Sequence, residues 1–352
     1  MSQDKIFRKE VLEAPAYHLE AHEGVKLDQN EYPLDIPVTL KAEIIEQFLK
    51  TPWNRYPLTD PVLLQKKMAK QLDVWPDNLV FANGSNVLIQ ALIIASALGK
   101  KIMVLDPTFS VYEIQGKMLG SKIIRVPLNE NDFSLPVDEC LKTIHKEKPQ
   151  IIFIANPNAP TGNLFDSEGL KKIVKAAPGL VVIDEAYFPF SQLTLASWMK
   201  EFDHLVILRT FSKAYALGGL RLGYLMAEPE VAYQVNKCLL PFCISKLTYV
   251  TALTLLDQPN YIQDHVKAIL SERARVYKNM ETISEIKAYP TSTNFILFEP
   301  KNKPELFEKL IKEKVVVRKI SDGRRFKDAL RVTIGTKEEN DTFLIALKKA
   351  LS

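Results

Sequence analysis

Cysteine is scarce in this chain: there are 3 in 352 residues, Cys140, Cys238 and Cys243. An odd, thinly spread set argues against a disulfide framework and for a reducing cytoplasm. Cys238 and Cys243 have no histidine or acidic residue near them in sequence, which argues against a metal site; they read as small core residues. Long apolar runs are missing. The longest, from Val87 to Leu98, has the length of a buried helix rather than of a membrane span. The opening Met1-Ser2-Gln3-Asp4-Lys5 lacks the apolar centre of a signal peptide, so none is expected. A strong charge of one sign is also absent. The formal net charge is +4 and the basic residues are scattered, which gives nucleic-acid binding little support. Lys66-Lys67 with Lys70 has the spacing of a solvated helix face. There is no internal repeat and no low-complexity segment. The G-x-x-x-x-G-K-[ST] phosphate loop of nucleotide hydrolases does not occur.

What is present is an ordinary globular composition, 47% hydrophobic and 25% charged, over a length that suggests about two domains. From about residue 80 to 230, apolar strands alternate with amphipathic helices. The expected strands are Leu79-Phe81, Lys101-Leu105, Lys122-Val126, Ile151-Ala155, Leu180-Asp184, Leu205-Leu208 and Arg221-Ala227. Their unbroken apolar character predicts a sheet covered on both faces, the doubly wound α/β pattern. Such sheets bind ligands beyond the carboxyl ends of their strands. Polar motifs fall there, after Phe81, Leu105, Ala155, Ile183 and Leu208. Beyond residue 245 the pattern changes to long helices over 244–286, with Pro259 starting a new one. Three short strands follow near Asn294-Phe298, Val315-Arg318 and Ala329-Ile334, with helices at Pro304-Lys314 and Lys337-Leu351. The expected organisation is an arm over 1–40 joining the smaller domain, a large domain over 41–245, and a smaller α+β domain over 246–352.

The most informative run is Arg209-Thr210-Phe211-Ser212-Lys213, continuing through Gly218-Gly219 to Arg221. A lysine just past a buried strand lies in a cleft, where desolvation lowers its pKa and makes it a nucleophile. Ser212 and Arg221 supply donors for a phosphate, and the double glycine lets both ends of the run face one point. A reactive lysine beside a phosphate clamp points to a phosphorylated aldehyde held as a Schiff base, pyridoxal phosphate. Here the chain resembles the fold-type I, pyridoxal-phosphate-dependent aminotransferases and, within them, the histidinol-phosphate aminotransferases. The resemblance covers nearly the whole chain, from about Leu27 onward. It implies a mostly parallel doubly wound sheet in a large domain, with a smaller α+β domain.

Several motifs gain roles from this resemblance. Asn83-Gly84-Ser85-Asn86 opens a helix, whose free N–H groups and partial positive charge suit an anion, with Ser85 and Asn86 as phosphate donors. In Asp106-Pro107-Thr108-Phe109-Ser110-Val111-Tyr112, the ring expected to stack on the cofactor is Tyr112, with Phe109 as the alternate. Asn156-Pro157-Asn158-Ala159-Pro160-Thr161-Gly162 matches the family's Asn-Pro-x-x-Pro-Thr-Gly signature, with Asn156 donating to the ring oxygen. Asp184, at a buried strand end, needs a cation; the protonated pyridine nitrogen is that partner. Tyr187 then bonds the ring oxygen, and Glu185 is structural. Lys213 is the catalytic amine, and Thr210 joins Ser212 and Arg221 in the phosphate cup.

Toward the substrate, Leu27-Asp28-Gln29-Asn30-Glu31-Tyr32-Pro33 matches the family's Leu-Asp-x-Asn-Glu-x-Pro element and places Asn30 on the substrate site. Tyr17 resembles the tyrosine that touches the imidazole. Tyr56, in Asn54-Arg55-Tyr56-Pro57, resembles the one that reaches the neighbouring subunit's cofactor, which implies a homodimer with shared sites. Arg331 is expected to bind the carboxylate of glutamate, and Arg318 to help bind a substrate phosphate. The implied reaction transfers an amino group between histidinol phosphate and 2-oxoglutarate in histidine biosynthesis. Three departures, Asn86 where an acidic residue is common, Leu34-Asp35-Ile36 where Gly-Pro follows, and Cys243 in place of asparagine, leave the transaminase chemistry intact but allow a paralogue with another amine donor; the rival readings are an aromatic amino-acid aminotransferase and, further off, a threonine-phosphate decarboxylase.

Overall fold

The structure is a computed structural model that describes residues 6–14, 21–320 and 325–352. Its strands, in chain order, are β1 (Val25–Leu27), β2 (Leu79–Ala82), β3 (Lys101–Asp106), β4 (Lys122–Pro127), β5 (Ile151–Ala155), β6 (Leu180–Asp184), β7 (Leu205–Thr210), β8 (Gly223–Met226), β9 (Ile286–Ala288), β10 (Phe295–Pro300), β11 (Val315–Ile320) and β12 (Ala329–Thr333). Seven of them form one sheet in the order β2-β8-β7-β6-β5-β3-β4. The pairs β3–β4, β3–β5, β5–β6 and β6–β7 are parallel. Only β8 runs against the rest, antiparallel to both β2 and β7.

Both faces of this sheet are apolar, as continuous hydrophobic strands require. Along β5, Ile152 and Ile154 enter one core cluster, while Ile151, Phe153 and Ala155 enter another, the period of two that a strand imposes. Helices Val62–Leu72, Val137–Glu147 and Ser167–Ala176 cover the first face through Met68, Ile144 and Ile173. Helices Ser85–Ser96 and Pro229–Asn236 cover the second through Leu88, Leu92 and Val235. Asp166 caps Ser167–Ala176 by accepting from the Gly169 N–H at 2.7 Å, a contact worth about 1 kcal/mol.

The second sheet has five strands in the order β1-β11-β12-β10-β9, where three were expected. The two additional strands, β1 and β9, are only three residues long, too short to show a period in sequence. One face packs with helices Pro259–Glu281, Leu306–Lys312 and Lys337–Leu351 around Ile269, Leu310 and Phe343. Helix Lys246–Leu256, expected in the smaller domain, instead sends Ala252, Leu255 and Leu256 into the large-sheet cluster.

The register of this sheet positions the site. Strand β1 pairs in parallel with β11, matching Lys26 to Val316 and Leu27 to Val317. Leu27, Val315 and Val317 point into the small-sheet core, so Lys26, Val316 and Arg318 take the other face. Across the antiparallel β11–β12 pair Arg318 stands directly opposite Arg331, and across β10–β12 Leu297 stands opposite Arg331. Leu297 belongs to the large-sheet cluster, so this arginine-bearing face is turned toward the large sheet.

Candidate active site

The loops leaving the carboxyl ends of β2, β3, β5, β6 and β7 gather the expected polar residues. Ser85 and Asn86 are the first residues of helix Ser85–Ser96, two earlier than the apolar pattern suggested, with Gly84 as its cap at φ 83°. A Cβ on Gly84 would lie 2.4 Å from Arg221 Nη2, so glycine lets the guanidinium settle on the helix start. A Cβ on Gly223 would lie 2.3 Å from the Ser85 nitrogen; the antiparallel strand can touch this helix end only as glycine. Arg221 Nη1 donates to Ser212 Oγ at 3.2 Å and to the Gly218 carbonyl at 3.1 Å. Thr210 Oγ1 donates to Ser212 Oγ at 3.0 Å and accepts from the Ser212 N–H at 3.0 Å. Hydroxyls, a guanidinium and a helix N-terminus thus surround one point, a ready anion site.

At the centre of the sheet, Asp184 ends β6 and is buried. Its carboxylate accepts from Tyr112 Oη at 2.6 Å and from the Ala186 N–H at 3.0 Å. Burial pushes the carboxyl up to about 6 against the pull of those two donors. The stacking role expected of Tyr112 does not survive the geometry. Tyr112 is 0% exposed, lies face to face with Phe153 at 4.8 Å, and spends its hydroxyl on Asp184. The helix Val111–Met118 begins one residue earlier and turns Tyr112 inward. Phe109, half-buried before that helix and edge-on to Tyr112 at 5.5 Å, keeps the accessible ring.

Asn156 follows β5 and is buried; its Oδ1 accepts from the Phe165 N–H at 2.9 Å. Its Nδ2 is a buried donor with no acceptor among the described residues. Tyr187 Oη accepts from Asn30 Nδ2 at 2.8 Å, which leaves its own proton to give. Burial raises that phenol above its usual value, while Arg331 pulls it back.

Lys213 Nζ donates to the Gln29 carbonyl at 2.9 Å. Burial lowers its pKa to about 7, with Arg331 adding to the shift and Glu31 opposing it. The arm holds this region together. Asn30, at φ 55°, takes Thr333 Oγ1 on its N–H at 2.9 Å and accepts from Asn294 Nδ2 at 3.0 Å. Arg331 Nη2 donates to the Asp28 carbonyl at 3.0 Å. Arg331, Asn30, Tyr187 and Lys213 therefore meet through residues 28–30. Arg318 joins them by its register with Arg331. Tyr56 stands apart, 80% exposed and stacked on Phe242 at 4.7 Å. Tyr17 lies outside the described residues.

Two buried networks behind the site were not assigned from sequence. Asn158 is 0% exposed. It donates to the Pro107 carbonyl at 2.9 Å and to Thr161 Oγ1 at 2.7 Å, and accepts from Thr108 Oγ1 at 2.8 Å. It ties the loop bearing Phe109 to the loop bearing Asn156. Arg209 makes paired bonds of 3.0 and 2.8 Å to Glu185 Oε2 and lies 4.0 Å over the Phe188 ring. It joins the ends of β6 and β7, next to Asp184 and Thr210. The signal for the second was an arginine closing an otherwise apolar strand.

The aminotransferase class I and II family profile matches residues 22–347. A curated relative, "Histidinol-phosphate aminotransferase 2" of Nitrosococcus oceani, is 37% identical, with 99% of this chain and 99% of that protein covered. The crystal structure of the histidinol-phosphate aminotransferase from Clostridium acetobutylicum is 26% identical with a TM-score of 0.85, over 92% of this chain and 98% of that one. The Sinorhizobium meliloti enzyme, solved in complex with pyridoxal-5'-phosphate, superposes with a TM-score of 0.88 over 99% of this chain and 98% of its own. Its 20% identity makes that a likeness of fold.

Proposed function

The chain belongs to the aminotransferase class I and II family, and from that premise we propose that it moves an amino group from histidinol phosphate to 2-oxoglutarate, giving imidazole-acetol phosphate and glutamate. It is a pyridoxal-phosphate-dependent aminotransferase. The observation that carries the substrate reading is Arg318 directly opposite Arg331 on the sheet face turned toward Lys213. Like charges across a ladder repel, and an anionic substrate group relieves that repulsion.

The residues fit the cofactor. Asn156 Nδ2 is a buried donor that lacks an acceptor among the described residues, as a ring oxygen would provide. Asp184 is a buried carboxylate whose two donors are both uncharged, as a pyridinium N–H requires. Ser85, Thr210, Ser212 and Arg221 form the phosphate cup, Asn86 lies one residue into the same helix, and Phe109 offers the ring face. When bound, pyridoxal phosphate supplies an aldehyde carbon that joins amines reversibly and a ring that accepts the electron pair left by α-proton removal. Lys213 presents an amine that near pH 7 is partly in the uncharged form that would bond the cofactor's aldehyde carbon, and its Nζ would take and return the α-proton. Asp184 would hold a proton on the ring nitrogen. Tyr187 and Asn156 donate to the ring oxygen, with Asn30 fixing the direction of the Tyr187 hydroxyl. Arg331 grips the carboxylate of glutamate, and Arg318 with Arg331 the phosphate of the other substrate.

We also infer a homodimer. Tyr56 and its stacking partner Phe242 lie in two segments with further exposed apolar residues, Leu49, Trp53 and Leu58 in one and Leu240 in the other, and exposed apolar surface of this kind marks an interface. Among the described residues no helix is long and apolar enough to cross a membrane. The three cysteines stand unpaired, as a reducing cytoplasm would leave them. The deciding experiment is a panel with purified holoenzyme: histidinol phosphate, phenylalanine, tyrosine and threonine phosphate. Histidinol phosphate is expected to be the best amino donor. Faster turnover of phenylalanine, or carbon dioxide release from threonine phosphate, replaces this reading.

A further inference from the structure

We infer that Lys26 is a third cation of the substrate-anion site, one that discriminates a phosphate from a carboxylate, with Glu31 as its counter-ion until substrate arrives. This rests on the proposed function insofar as the two substrates share one site.

The sheet register carries the argument. Lys26 pairs with Val316 on the face opposite the small-sheet core. Alternation along β11 puts Arg318 on that same face, and the β11–β12 pairing adds Arg331. Three cationic side chains therefore leave one side of three adjacent strands. Lys26 has no packing duty that explains its place: its side chain is 49% exposed, while the neighbouring Leu27 is 1% exposed and supplies the core contact.

The segment after β1 sets an oxygen against Arg331, Lys213 and Lys26. The Asp28 carbonyl accepts from Arg331 and the Gln29 carbonyl accepts from Lys213. Lys26 pairs with the Glu31 carboxylate and lies 3.5 Å from Asp28 Oδ1. Asp28 is buried. Glu31 is 52% exposed, and an ion pair in such a setting contributes little. Its carboxylate can yield Lys26 to a ligand of higher charge.

Charge decides which ligand gains. A phosphate monoester carries about −1.5 to −2 near pH 7 and offers three acceptor oxygens, whereas a carboxylate carries one charge and is filled by a single guanidinium fork. A third cation therefore adds much to phosphate binding and little to carboxylate binding. One site can then accept both substrates in turn without holding glutamate too tightly.

The test is competitive inhibition of the glutamate half-reaction of the holoenzyme by inorganic phosphate and, separately, by acetate. Lys26→Met, which keeps the apolar stem, should raise the inhibition constant for phosphate about ten-fold, the lower range for a lost charge-assisted contact, and leave acetate nearly unchanged. Glu31→Gln should tighten phosphate, an effect that a merely structural role of the pair would not produce. Lys26→Arg should restore phosphate binding. An unchanged phosphate constant in Lys26→Met, or equal losses for both anions, overturns the inference. Histidinol phosphate takes no part in this readout. A wild-type enzyme that rejects it overturns the proposed substrate, while the phosphate shift still decides the role of Lys26.

Discussion

Tyr112 Oη donates to Asp184 Oδ2 at 2.6 Å, joining two buried groups that the chain separates by 72 residues. This contact decides how much of the carboxylate stays ionised in a site that burial would otherwise neutralise. Asp184 is raised from 3.8 to about 6 even with the bond in place. In the cofactor-free protein the folded state therefore holds a proton that the unfolded state has released, and stability falls as pH rises from 3.8 through about 6. Tyr112→Phe should move the Asp184 midpoint higher and extend that fall upward. In the holoenzyme it should slow α-proton removal by about ten- to a hundred-fold, the range for a hydrogen bond to a charged group. Single-turnover rates and the pH dependence of melting measure both. Unchanged values in both would show that the contact is idle.

Lys213 behaves in the opposite sense. Its folded pKa, about 7, lies below the usual 10.5, so the unfolded chain binds the proton first as pH falls. Stability of the cofactor-free protein should decline from about pH 10.5 to about pH 7 and then level off. Lys213→Met should remove that slope, making the variant relatively more stable below pH 7 and no different at the alkaline end. It should also abolish transamination, and borohydride should fix the cofactor to Lys213 in the wild type. Label recovered on another lysine would end the assignment.

The facing arginines should divide their work. Arg331→Ala is expected to weaken glutamate strongly and histidinol phosphate less, because Asp28 and Phe295 hold Arg331 near Lys213, where an α-amino acid places its carboxylate. Arg318→Ala should cost histidinol phosphate at least as much as glutamate. Each loss should fall near ten- to a hundred-fold in kcat/KM. Half-reaction kinetics with each substrate measure the split, and equal losses in all four combinations would show that none exists.

Subunit sharing is testable by complementation. Tyr56 is 80% exposed and rests on Phe242 rather than in its own chain's cup. Mixing Lys213→Ala with Tyr56→Ala protein should restore part of the activity, since a hybrid dimer holds one site made of two intact halves. Failure to recover activity, with subunit exchange shown by light scattering or labelled chains, would place the role of Tyr56 elsewhere.

The sequence by itself determined the large sheet, because buried parallel strands must be continuously apolar. Ile151–Ala155 and Leu180–Asp184 could be read to their ends, since each stops where a polar motif begins. It also marked Lys213, Asp184 and Asn156 as candidates, because a lysine or a carboxylate at a buried strand end is costly without a partner and Asn156 opens a recognisable family motif. Tertiary structure alone decided which aromatic ring stays accessible. Phe109 and Tyr112 are equivalent as residue types, and only the start of the helix at Val111 turns one inward onto Asp184. It alone decided that the arm contributes a strand, since Val25–Leu27 is too short to carry a period and gains its place from pairing with Val315–Val317. The same pairing set Lys26 beside Arg318 and Arg331. A strand's face is fixed by its partner's register, and register is a property of two segments nearly 300 residues apart that neither contains by itself.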